Sequence, residues 1–410
     1  MEKESITEKC QQVVEYVIKS GYSRASVWRY KYGIRYILKN IHSNEIKSFA
    51  DIYRKYEEAE SCKRKRSYMR GVIKAVEVFC LEGRYPDWTR NIPLIPTGSY
   101  HSLNDEYKTI IDCFIEIESK RKKQERTILR EVSATSVFFL QLQNAGVERL
   151  AEATESDILS LFVSNDDTII KGYSAKKKFA AVLKACIPNY PFCETILAYL
   201  PALKAKYKNI QYLTAEEIAK VKNALFCDSS ELTLRDKAIG TIAVYMGLRS
   251  GDIAGLQISS IDWNNDTLCI KQQKTGAPLT LPLSAVVGNA VWDYMELERP
   301  KSDSEYVFIS ARKPFKHLAC TGSMYTVAQK IMKVANIRQN KGDRQGFHIF
   351  RHYFATTLLG NGIPRPLVSS LTGQIAPESL EPYLSADFVH LKKCAISIER
   401  FPVSREVFGR

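Results

Sequence analysis

Residues 346–359 read GFHIFRHYFATTLL. His348 and Arg351 fall three apart, on one face of a helix start, with His352 beside them. Phe354, Leu358 and Leu359 form an apolar side behind. Two imidazoles and a guanidinium clustered at a helix N-terminus make a ready anion site, because unpaired N–H groups and the helix dipole both favour negative charge there. A histidine satisfied within a core is the competing reading of either imidazole.

Three further stretches of the same region share this character, with polar groups at turns and helix ends and not on apolar faces. In YMGLRSGDIAGL, residues 245–256, an apolar helix ends near Gly247, a left-handed cap, and a new helix begins near Ser250. Arg249 lies at that junction, and Asp252, three residues on, is placed to brace its guanidinium; taken alone, these residues read first as a plain surface Arg–Asp pair. In KQQKTGAPLTLPL, residues 271–283, Lys274 sits at a hairpin tip, where a flexible ammonium reaches a ligand or is merely solvated. The last stretch, LTGQIAPESLEPYLSADFVHLKKCAI, spans residues 371–396. It carries Tyr383 nine residues after Gln374, and Pro382 argues against a continuous helix through that point.

Together the four stretches resemble the tyrosine recombinase (phage integrase) family, of the mobile-element integrase or transposon recombinase type. That family is marked by a G-L-R-x-x-E/D box, a hairpin Lys, an H-x-x-R box, an L-G-H/W box and a Tyr nine residues after that His or Trp. Here these are Arg249 with Asp252, Lys274, His348 with Arg351, Thr372-Gly373-Gln374, and Tyr383. The match covers essentially all of residues 212–410, and the order and spacing agree. FIEIESKRKKQERTILREVSATSVFFLQLQNAG, residues 114–146, resembles the core-binding helical domain that precedes the catalytic one in that family. The chain departs in three places. Gln374 replaces His or Trp, so an amide stands there that donates a hydrogen bond but neither carries charge nor transfers a proton. Pro382 directly precedes the tyrosine, and Thr372 stands where Leu is usual.

The resemblance implies cleavage and rejoining of DNA by transesterification. Tyr383 is the nucleophile and forms a 3′-phosphotyrosyl link, and the freed 5′-hydroxyl of a partner strand reverses the step without ATP. Arg249 and Arg351, each a planar donor fork, clamp the non-bridging oxygens of the transition state. Lys274 protonates the leaving oxygen, His348 bonds the phosphate or assists proton transfer, and Gln374 is a weaker donor to the same phosphate. No metal or other cofactor is expected. The resemblance also implies a homotetramer on two DNA sites with inverted-repeat core sequences, a monomer or weak oligomer when free, and a C-terminal helix around Asp387–Ile398 docked on a neighbour. Accessory DNA-bending or directionality proteins belong to the same picture.

Outward from these motifs the chain reads as mainly helical, with one small antiparallel β-meander. Residues 258–263, 267–273 and 278–283 alternate apolar and polar side chains between the turn residues Asn264–Asp266 and Thr275–Gly276. Three domains are expected: an N-terminal helical domain over 1–95, for arm-type DNA or protein binding; a core-binding helical domain over 103–200; and the catalytic domain over 212–410. Thr154 with Asp157, and Thr214 with Glu217, form capping-box patterns. Pro93 and Pro96 mark a linker, and the polar stretch 204–211 a second joint.

The 410 residues carry a formal net charge of +14, which suits a polyanionic partner. Two basic clusters lead into apolar helix faces: Lys63, Arg64, Lys65, Arg66 and Arg70, then Lys176, Lys177 and Lys178. Each reads equally as a solvated surface or as a phosphate contact. The 10 cysteines are scattered with no C-x-x-C pair, which suits reduced thiols in the cytoplasm. The charged start MEKESITEKC is unlike a secretory signal, and no apolar run approaches the roughly 20 residues of a membrane span. Three rivals remain: a DNA-binding regulator of the same fold without catalysis, a type IB topoisomerase or telomere resolvase of the same chemistry, and a metal-dependent nuclease built on Asp252, Asp262 and Asp266. A chromosome dimer resolvase is the alternative to the mobile-element role.

Overall fold

A stable helix needs a satisfied first turn and an apolar stripe to bury. The computed structural model describes residues 3–43, 45–86, 94, 98–164, 166, 168–205, 211–313, 315–318, 322–340 and 342–374. Tyr383, Pro382 and the helix expected around 387–398 lie outside the described residues.

The chain opens with α1 (Lys3–Lys19), α2 (Arg24–Asn40), α3 (Phe49–Ala59) and α4 (Lys63–Glu82). Ser48 and Asp51 close a capping box ahead of α3. Helix α4 buries Met69, Val72, Ile73, Val76 and Phe79, and this leaves Lys63, Arg64, Lys65 and Arg70 exposed. Next come α5 (Asp105–Lys120), α6 (Glu125–Asn144), α7 (Glu155–Ser160), α8 (Tyr173–Cys186) and α9 (Phe192–Ala198). The expected Thr154–Asp157 box caps α7. An aromatic core joins α5, α6 and α8: Tyr107 stacks on Phe139 at 4.5 Å, and Phe138 on Phe179 at 4.8 Å.

After α10 (Ala215–Phe226), capped by the Thr214–Glu217 box, follow α11 (Leu234–Met246) and the short α12 (Ser250–Ala254). The strands are β1 (Ile261–Asp262), β2 (Thr267–Lys271) and β3 (Pro278–Pro282). They form an antiparallel sheet of order β1-β2-β3, with Leu268 opposite Leu281 and Lys271 opposite Pro278. Then come α13 (Ala285–Asp293), a π turn over Tyr294–Glu298, α14 (Gly322–Val334), α15 (His348–Gly360) and α16 (Arg365–Thr372). The fold is thus mainly helical with one small meander, as the sequence predicts.

The first strand is shorter than its alternating pattern suggests. Ile258–Ser260 is a 3-10 turn, and the Ile258 N–H bonds the Glu305 carbonyl at 2.8 Å, outside the sheet. Asp262 then ends the strand, because its carboxylate accepts the N–H groups of Asn264 and Asn265 at 3.0 and 3.1 Å.

The molecule divides into two compact units, Met1–Cys10 with Tyr32–Lys208, and Gln11–Lys31 with Asn209–Arg410. The core of the second is built on α11, which is buried on almost every side and packs against α10, α12, α13, α14 and α15. No helix among the described residues is long and apolar enough to cross a membrane.

Candidate active site

Helix α11 stops at Gly247, whose φ of +61° is the left-handed cap that glycine adopts without strain. A β-carbon at this position would also lie 2.4 Å from the Phe354 ring on α15. The two helices therefore approach closely here, and α15 brings the buried Arg351 to the α11 terminus. Arg351 Nη1 donates to the Gly247 carbonyl at 2.8 Å, and Nη2 to the Thr372 carbonyl at 2.7 Å. One guanidinium thus joins the ends of α11 and α16.

Helix α16 closes in a Schellman motif. The N–H groups of Gly373 and Gln374 bond the Ser370 and Ser369 carbonyls at 3.0 and 2.9 Å, and Gly373 has φ of +60°. Arg249, the residue before α12, reaches the same turn, with Nη2 3.3 Å from the Gly373 carbonyl. Among the described residues its Nη1 is buried without a hydrogen-bond partner, as is Gln374 Oε1.

Asp252 does more than brace Arg249. Its Oδ2 stands 3.9 Å from Arg249 Nη1, while its Oδ1 accepts the Gln273 backbone N–H at 2.9 Å. The carboxylate is therefore the anchor of the β2–β3 tip. Burial pushes the Asp252 carboxyl up from its ordinary range, against the Gln273 hydrogen bond and the charges of Arg249 and Arg351. The exposed Lys274 occupies the tip, as its sequence position predicts.

His348 opens α15 with an exposed side chain. The protein packed around it, then the positive charges of Arg344, Arg351, Lys274 and Arg249, hold the imidazole below its usual range and favour the neutral form. These five groups thus share one electrostatic neighbourhood. His352, one turn on, is buried. Its Nδ1 lies 3.2 Å from the Gln211 carbonyl and must carry the proton there, which leaves Nε2 to accept from Arg344 Nη1 at 3.5 Å. It serves the packing of α15, the core-histidine alternative for that residue.

Arg249, Asp252, Lys274, His348, Arg351 and Gln374 are therefore brought to the meeting of four chain segments within one unit. Sequence reasoning missed Arg344 and Gln272. Gln272, 1% exposed, lies against Gly373. Both follow from tertiary contact and leave no local spacing signal.

The basic clusters fare differently. In the first unit, α6 and α8 flank an open groove lined by Arg126, Arg130, Lys171 and Lys178, with Leu129 and Val137 exposed beside them. Lys178 thus joins three cations not singled out from sequence. Arg126, Arg130, Ser133 and Val137 recur at helical spacing, which was the available signal. Lys176 is spent on the Pro201 carbonyl at 2.5 Å, and Lys177 is exposed. In the first cluster Lys65 pairs with Glu60 at 3.1 Å.

Known proteins match this chain in the same region. The phage integrase family model matches residues 211–390. A putative integrase/recombinase, y4gC, of Sinorhizobium fredii is 32% identical over 192 residues, which cover 47% of this chain and 97% of that one. The tyrosine recombinase XerC of Listeria innocua is 26% identical over 232 residues, 55% of this chain and 73% of that one. Among solved structures, a lambda integrase tetramer bound to a Holliday junction superposes with a TM-score of 0.50 at 18% identity, over 76% of this chain and 88% of that chain. With its cationic cluster in the matched region and a relative matched over nearly its whole length, the chain belongs to the phage integrase family, the tyrosine-type site-specific DNA recombinases.

Proposed function

We propose that the chain cuts and rejoins double-stranded DNA at specific sites through Tyr383, in the integration or excision of a mobile element. The observation that carries this reading is the convergence of Arg249, Lys274, His348 and Arg351, whose mutual electrostatics appear in the depressed His348 imidazole. A cluster so positive is matched to a phosphodiester whose transition state gathers charge on its non-bridging oxygens.

The phenolic oxygen of Tyr383 attacks phosphorus and forms the 3′-phosphotyrosyl ester, while the bond from phosphorus to the 5′-oxygen breaks. The Lys274 ammonium gives its proton to that leaving oxygen. His348, held neutral, is available to take the phenolic proton. Arg249 and Arg351 hold the phosphate, and a neutral Gln374 amide adds one donor. The 5′-hydroxyl of a partner strand then reverses the sequence.

We assign the DNA grip to the helical domain over 103–200 and the catalytic domain over 212–410, with the domain over 1–95 as a further binding module. The groove lined by Arg126, Arg130, Lys171 and Lys178 supports this, since its cations suit phosphates and its apolar floor suits base edges. Assembly into a tetramer on two sites is part of this reading, and the similarity to lambda integrase, itself a tetramer when bound to a Holliday junction, supports the tetramer. Chromosome dimer resolution is the second reading, favoured by the likeness to XerC.

The test is trapping on duplexes from the flanks of the gene, each nicked beside a candidate cleavage point so that the short 5′-hydroxyl fragment diffuses away. An SDS-resistant adduct from the wild type, absent from Tyr383→Phe, is the expected result. A gel shift by both proteins with an adduct from neither would favour the DNA-binding regulator, with Gln374 the first suspect.

A further inference from the structure

The Lys274 tip is built around Gln272. Its backbone N–H donates to the Ala277 carbonyl at 2.9 Å, and its carbonyl accepts from the Gly276 N–H at 2.8 Å. Its side-chain Oε1 accepts from the Thr275 hydroxyl at 2.8 Å. Three of the polar atoms of Gln272 thus fold the residues after Lys274 back on themselves. The side chain does not follow the tip into solvent. It is 1% exposed, and its amide lies against the α16 turn, so close that a β-carbon on Gly373 would sit 1.9 Å from Nε2. That Nε2 has no hydrogen-bond partner among the described residues.

A buried, unpaired amide donor costs about 1–3 kcal/mol, so an apolar side chain at residue 272 would be the more stable choice. What the glutamine provides is a rigid strut between two parts of the site. Gly373 and Thr372 are the residues whose carbonyls Arg249 and Arg351 hold. The strut therefore packs the hairpin carrying the lysine against the turn that both guanidinium groups grip. On the other flank, Asp252 holds the Gln273 N–H. The tip is fixed immediately before Lys274, which defines the base from which its side chain extends.

We propose that Gln272 is a positioning residue for Lys274, setting the ammonium where it meets the leaving 5′-oxygen. The proposal rests on the reading of Lys274 as the general acid. It predicts a defect confined to protonation of the leaving group, which changing the leaving atom isolates. A thiol titrates near 8.5, far below an alcohol, so sulfur departs as a thiolate without a proton.

Single-turnover cleavage is measured on two duplexes that differ only in oxygen or sulfur at the bridging 5′ position of the scissile phosphate. The proteins are wild type, Lys274→Ala, Gln272→Ala and Thr275→Val. The last removes the hydroxyl that donates to the Gln272 amide at 2.8 Å and accepts the Ala277 N–H at a long 3.4 Å, at an exposed position, and leaves the core intact. We expect Gln272→Ala to cleave the oxygen duplex roughly 10- to 100-fold more slowly than wild type and the sulfur duplex within a few-fold of it, in parallel with Lys274→Ala. Thr275→Val should show a smaller defect of the same kind. If Lys274→Ala is rescued by sulfur while Gln272→Ala is slow on both duplexes, or unaffected on both, the positioning role is overturned and the general acid stands. If sulfur does not rescue Lys274→Ala, or the wild type cuts neither duplex, the underlying reading fails and this one falls with it.

Discussion

Asp252 accepts the Gln273 backbone N–H at 2.9 Å, so the acidic residue of the arginine box is bound to the lysine hairpin more closely than to its arginine, from which it stands 3.9 Å. A carboxylate used as an acceptor can be replaced by an amide oxygen, whereas one used for charge cannot. We therefore expect Asp252→Asn to keep cleavage within about fivefold of wild type, and Asp252→Ala, which leaves the Gln273 N–H unpaired, to lose about 1–3 kcal/mol of stability. Urea unfolding and single-turnover cleavage of both variants check this. Equal losses for the two would mean that the charge beside Arg249 is what matters.

The two site arginines divide their labour unequally. Arg351 is 3% exposed and holds two carbonyls from separate helices, at 2.8 and 2.7 Å, whereas Arg249 makes one hydrogen bond among the described residues, of 3.3 Å. Lysine cannot reproduce a planar fork. Arg351→Lys should lower unfolding stability by about 2–3 kcal/mol, and Arg249→Lys by less than about 1 kcal/mol. Both should slow cleavage by about 10²- to 10³-fold. Thermal melts that fall equally would refute the assignment of a structural share to Arg351.

His352 gives the fold an acid sensitivity with a defined sign. Burial first, then Arg344 and His348, lower its imidazole to about 4, with Arg351 a smaller contributor and the Gln211 bond opposing. The unfolded chain takes up that proton near the ordinary value of 6.5 while the folded chain does not. Stability is therefore full above the unfolded value and declines as pH falls from 6.5 towards 4, by on the order of 3 kcal/mol at most. Denaturant titrations of wild type and His352→Gln between pH 7 and 4.5 should diverge, the variant showing the shallower decline. Parallel curves would exclude His352 as the source.

How much of this was visible in sequence depends on where each signal lies. The αL cap at Gly247, the boxes at Thr154 and Thr214, and the position of Lys274 at a hairpin tip are local features, and local spacing revealed them. The clustering of Arg249, His348 and Arg351 was legible because the order of motifs matched a known family. Local spacing alone leaves Arg249 as a surface residue and His348 with Arg351 as an anion site or a core histidine. The Asp252–Gln273 bond and the seat of Gln272 on Gly373 were not legible, since they join segments distant in sequence that only the packing around α11 brings together. Tyr383 lies outside the described residues, and its role rests on sequence and family.

The groove between α6 and α8 offers the last distinction, because charge alone does not say which lysines meet DNA. Lys176, Lys177 and Lys178 are adjacent in sequence but turn to different surroundings. Lys176 bonds the Pro201 carbonyl, and Lys178 lines the groove with Arg126, Arg130 and Lys171. A phosphate contact releases counterions, so each one lost should reduce the slope of log affinity against log salt by about 0.9 on duplex DNA. Arg130→Ala and Lys178→Ala should each show that reduction with the fold intact. Lys176→Ala should keep the wild-type slope and instead lower the melting temperature, because it frees a carbonyl that the ammonium now satisfies. Binding isotherms on one core-site duplex between 50 and 200 mM salt separate the two behaviours. Identical slopes for all three variants would mean that this groove is not where the protein holds DNA.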